Sequence, residues 1–79
     1  MHVGMLWFSN DPNLSLIKKI EQAADYYKKK YGRTPDLVLV HPSLLDGQSE
    51  KQLEVNKITV RPYRPVLPNH IWIGVEDAP

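Results

Sequence analysis

The chain contains no cysteine. That excludes disulfide staples and any zinc site built on thiolates. Glycine is scarce, four residues in 79, and none lies in the segment after the first apolar run. A phosphate-cradling P-loop and a dinucleotide fingerprint are therefore both missing, and no cofactor is expected. A Gly-x-Ser-x-Gly nucleophile elbow is absent as well, which leaves Ser43, two residues from His41, without the setting of a hydrolase. No apolar run approaches the roughly 20 residues that span a bilayer, so no membrane partner is expected. No Lys or Arg precedes the apolar stretch at Met5–Phe8, so a signal peptide is not expected and the cytoplasm is the expected compartment. The net charge is +1, too small to steer a polyanion by itself.

What is present fits one small domain over residues 1–79. Hydrophobic residues make up 42% and charged residues 24%, ordinary for a globular chain and too apolar for a disordered one. At this length folding buries only about 60–65% of the unfolded chain's surface, so the core is marginal. The strongest periodicity is helical. Leu16, Ile20, Ala23, Tyr27 and Tyr31 follow at steps of three and four, widened by Ile17 and Ala24, with Lys18, Gln22, Asp25 and Lys29 opposite. Asp11 as N-cap, Pro12 at the first helical position and Gly32 as C-cap predict a helix over 12–31.

Apolar runs flank it. Val3–Phe8 and Leu37–Val40 are apolar on both alternating faces, the pattern of central strands. Strand, helix, strand predicts a right-handed βαβ unit with parallel strands. Asp46-Gly47 reads as a turn. Residues 53–60 read as one strand interrupted by a bulge or break at Asn56-Lys57. Residues 61–68 carry three prolines and read as an extended connection. Ile71–Val75 closes the order β-α-β-β-β, with the last two strands forming a hairpin-like pair. The expected fold is α/β: a four-stranded mixed sheet with one long helix on one face.

One helix shields one face of a sheet, yet the first two strands point apolar side chains both ways. That face is covered either by the chain's own segments 43–52 and 61–68 or by a partner; association is the favoured expectation, with a homodimer its commonest form. Trp7 and Trp72 are the expected interface anchors, Trp72 because it lies opposite Ile71, Ile73 and Val75 on its strand. The expected function is a non-enzymatic interaction module.

Two other readings remain. Ligands of open sheets bind beyond the carboxyl ends of parallel strands. Ser9, Asn10, Asp11, His41, Ser43 and His70 fall there, beside Asn69, next to a helix N-terminus that favours a small anion. Asp11, His41 and His70 lack the spacing of a local metal-ligand pair, and no metal is expected. Residues 18–33 carry six positive charges against two negative. Lys28, Lys29, Lys30 and Arg33, with Arg61 and Arg64 around Tyr63, are the candidate nucleic-acid contacts. Glu50 and Glu54 read as a solvated face rather than a catalytic carboxylate pair.

Overall fold

A computed structural model describes residues 3–45, 53–55 and 57–75. The elements run β1 (Val3–Phe8), α1 (Leu16–Tyr31), β2 (Leu37–Val40), a 3-10 turn (Pro42–Leu45), β3 (Leu53–Val55), β4 (Ile58–Pro62) and β5 (His70–Val75). The strands form one mixed sheet in the order β1-β5-β2-β4-β3. Four strands of four to six residues carry it, and the three-residue β3 lines one edge. The expected small α/β domain with a single long helix on one face is what the chain builds. The Asp46-Gly47 turn and Glu50 lie outside the described residues.

The helix begins later than the sequence signals suggest. Ser15, not Asp11, is the N-cap: its Oγ accepts from Lys18 N at 3.2 Å. Asp11 instead closes a local turn, its Oδ1 accepting from Asn13 N at 2.9 Å and its carbonyl from Leu14 N at 3.3 Å. Pro12 sits inside that turn. Two good cap residues compete here, and a side-chain turn at Asp11 delays the helix by one turn. The C-terminal end is as expected: Gly32 takes φ 73°, and its N–H reaches the Lys28 carbonyl at 2.8 Å.

Strand neighbours differ from the sequence expectation in three places. β1 and β2 do run in the same direction, but β5 lies between them, antiparallel to both. The last strand is therefore central and does not pair with β4. Between Leu53 and Val60 the chain is broken rather than bulged, the second of the two outcomes expected there. It folds back so that Val55 pairs with Ile58 in an antiparallel hairpin, with Lys57 at φ 68°. Finally β1, whose sequence reads as a central strand, is an edge.

The helix packs chiefly on β5. Ile20, Ala23 and Tyr27 face the sheet and bury against Val38, Val40, Ile58, Val60, Ile71, Ile73 and Val75, with Met5, Trp7, Leu16 and Ala24 at the margin. Ile17, at the flank of the predicted stripe, and Tyr31, at its C-terminal end, stay exposed. Burial raises the Tyr27 phenol above its usual value, more than the nearby Arg33 lowers it. No helix among the described residues is long and apolar enough to cross a membrane.

Candidate functional site

The face of the sheet turned away from the helix is built by strand alternation. Met5 and Trp7 of β1 point toward α1, so Leu6 and Phe8 point away. Trp72 of β5, Leu37 and Leu39 of β2, and Thr59 and Arg61 of β4 share that side by register. Leu6 and Phe8 are 60% and 57% exposed. Phe8 stacks at a tilt on His70, ring centroids 5.1 Å apart.

The Trp72 indole has an unusual bed. Gly4 pairs with Gly74, so two neighbouring positions carry no side chain. The ring lies back over Gly4: a Cβ added there would stand 2.6 and 2.8 Å from Cε2 and Cη2, and closer still to Cζ2. The glycine at position 4 therefore makes room for the ring, and the ring leans toward the β1 edge. Trp72 is half-buried and Leu37 on the same face is buried, so the open part of this face is its β1 side, around Leu6 and Phe8. Trp7 does not share that face: it packs on the helix side against Tyr26, centroids 5.2 Å apart. The adjacent open-face residues on β1 are Leu6 and Phe8, which the alternation of that strand already separates from Trp7. The Trp7 Nε1 and His70 Nδ1 atoms are buried without a hydrogen-bond partner.

The carboxyl-end edge forms a cavity of about 410 Å³. Ser9, Ser43 and Asn69 line it, joined by Ser15, Leu16 and Lys19 from the first turns of α1. Lys19 Nζ donates to the Ser9 carbonyl at 3.4 Å, tying the helix to the end of β1. Asn10, Asp11, His41 and His70 are not part of the lining. His41 caps the 3-10 turn locally, with Nδ1 at 2.8 Å from Ser43 Oγ and 3.1 Å from Ser43 N. His70 belongs to the open face, under Phe8. Ser15 and Lys19 are the polar lining residues that sequence reasoning missed, because both depend on a helix start that the sequence signals placed at Asp11. Among the described residues no group of three His, Asp or Glu side chains is arranged to hold a metal ion.

The two halves of the candidate nucleic-acid surface lie apart. Lys28, Lys29, Lys30 and Arg33 cluster at the C-terminal end of α1, next to where β2 begins. Arg61 and Arg64 sit at the far end of β4, which runs parallel to β2, and Arg61 faces away from the helix. Part of the lysine charge is used locally: Lys29 pairs with Asp25 at 3.0 Å, and Lys30 Nζ lies 5.4 Å from the Tyr31 ring centroid. Helix-terminal cations are also stabilised by the helix dipole. Compared with models of protein families, with curated proteins and with solved structures, the chain matches none.

Proposed function

We propose that this chain is a non-enzymatic interaction module that works as a homodimer, joining a second copy through the β1 side of its open sheet face. The observation that carries this reading is the exposure of Leu6 and Phe8, 60% and 57%, beside the Trp72 ring. Large apolar side chains grouped on one side of a small domain mark a protein contact. A second copy suits the surface electrostatically. Among the described strand residues of this face the charged ones are Glu54 and Arg61, one of each sign and both on the β3–β4 side. The apolar half does not repel its own copy, and closed two-fold pairs are the commonest assembly.

Sedimentation across the micromolar range tests the reading. The chain is expected to pass from monomer to dimer as concentration rises. Leu6→Glu places a charge in the apolar patch and is expected to weaken association at least about tenfold, with helical circular dichroism unchanged. A chain that remains monomeric throughout, or a Leu6→Glu variant that dimerises as well as the native chain, would overturn it.

A further inference from the structure

The two edges of the sheet are built differently. β3, Leu53–Val55 among the described residues, carries an exposed Glu54, an edge charge of the kind that resists pairing. β1 is six residues long, Val-Gly-Met-Leu-Trp-Phe, with no charge and no proline. Such an edge is a template for another strand.

The register with β5 sets which β1 backbone groups face outward. The β1–β5 register pairs Val3 with Val75 through Phe8 with His70, so Ser9 falls opposite Asn69. Ser9 N donates to the Asn69 carbonyl at 2.9 Å. Odd-numbered residues of β1 are thus the hydrogen-bonded positions toward β5, and the N–H and C=O groups of Gly4, Leu6 and Phe8 point outward.

We infer that β1 pairs antiparallel with β1 of a second copy about a two-fold axis at Leu6, making one continuous ten-stranded sheet. This rests on the self-association reading and names its contact. The register follows from the outward groups. Only pairings between even positions form hydrogen-bonded pairs, and the one that uses all three places Leu6 opposite its own copy and Gly4 opposite Phe8. Each copy then donates from Gly4, Leu6 and Phe8. Side chains match on both faces. Met5 meets Trp7 on the helix side. On the open face the two Leu6 side chains meet between two Trp72 rings, and Phe8 fills the space beside Gly4, against the indole that already lies over it.

The helices permit it. α1 packs chiefly on β5, and the two β5 strands would stand three strand spacings apart, about 14 Å. Packed helices need roughly 8–10 Å, so the helices clear each other. Half-exposed Tyr26, resting on Trp7, occupies the gap.

Amide hydrogen exchange of the native chain, read residue by residue at low and high concentration, tests this together with the mass in solution. Met5 and Trp7 amides are expected to be protected at both concentrations. Gly4, Leu6 and Phe8 amides are expected to become protected only as the mass doubles. Leu6→Pro removes an outward N–H that the chain's own sheet does not use, and is expected to weaken dimerisation at least about tenfold. Doubling of the mass while Gly4, Leu6 and Phe8 still exchange freely would overturn edge pairing and leave self-association standing, by stacked faces. No doubling at any concentration would overturn both.

Discussion

Gly4→Ala is the smallest change that probes the open face. The added methyl would stand 2.6 Å from Trp72 Cε2, whereas carbon atoms settle at about 3.5–4.0 Å. The indole must therefore retreat by about 1 Å or more, losing its contact with the strand beneath. Overpacking of this kind costs about 1–3 kcal/mol. Against it, alanine restricts the unfolded chain and returns about 0.4–1 kcal/mol. The net expectation is a loss of about 1–2 kcal/mol, or a Tm lower by roughly 5–15 °C for a domain of this size. Trp72→Val removes the obstacle, so in that background Gly4→Ala should be neutral or stabilise by about 0.5 kcal/mol. Urea unfolding of the four chains, at one low protein concentration so that mass action is held constant, yields the coupling. A coupling energy of about 1 kcal/mol or more is expected. If the two substitutions add within about 0.3–0.5 kcal/mol, the ring does not rest on Gly4 and the account of this face is wrong.

Ile73→Ala empties a fully buried position between Met5 and Val38 on the central strand, at a cost of about 2–5 kcal/mol. That is a large part of a total stability of roughly 4–12 kcal/mol, so urea titration should show a strongly lowered midpoint or an unfolded chain. Ser15→Ala should cost about 0.5–2 kcal/mol, while Asp11→Ala should cost less, because only Ser15 caps the helix. Equal losses at both positions in thermal unfolding would restore the earlier helix start. The raised Tyr27 phenol gives a pH dependence with a definite sign. Its neutral form is favoured in the folded chain, so this contribution is whole below about pH 10, the unfolded value, and is lost as pH rises through the higher folded value. Tyr27→Phe should flatten the alkaline limb of a stability–pH curve, and an unchanged limb would assign that loss to other groups.

The helix body was legible because Ile20, Ala23 and Tyr27 repeat at the spacing of one buried face. Its start was not, because Asp11 and Ser15 carry equal local signals and only the three-dimensional setting chooses between them. The interruption at 56–57 was legible, but the reversal before Ile58 lacks a glycine, and a lysine takes the left-handed conformation there, so a hairpin turn could not be told from a bulge. Insertion of β5 between β1 and β2 is a non-local pairing that periodicity does not encode. The alternation of Ile71, Ile73 and Val75 did separate Trp72 from the helix side. For β1 the same reasoning misplaced the strand: Val3–Phe8 has the composition of an interior strand, and within one chain it is an edge. The carboxyl-end argument brought out Ser9, Ser43 and Asn69, yet it could not tell that His41 would cap its own turn or that His70 would lie under Phe8.

The most direct test is an isotope-filtered NMR experiment on a mixture of labelled and unlabelled chains, which detects contacts between copies alone. Edge pairing about Leu6 predicts cross-chain signals linking Leu6 to Leu6 and the Phe8 ring to Gly4 and Trp72. A dimeric sample whose cross-chain contacts all lie elsewhere on the molecule would contradict it.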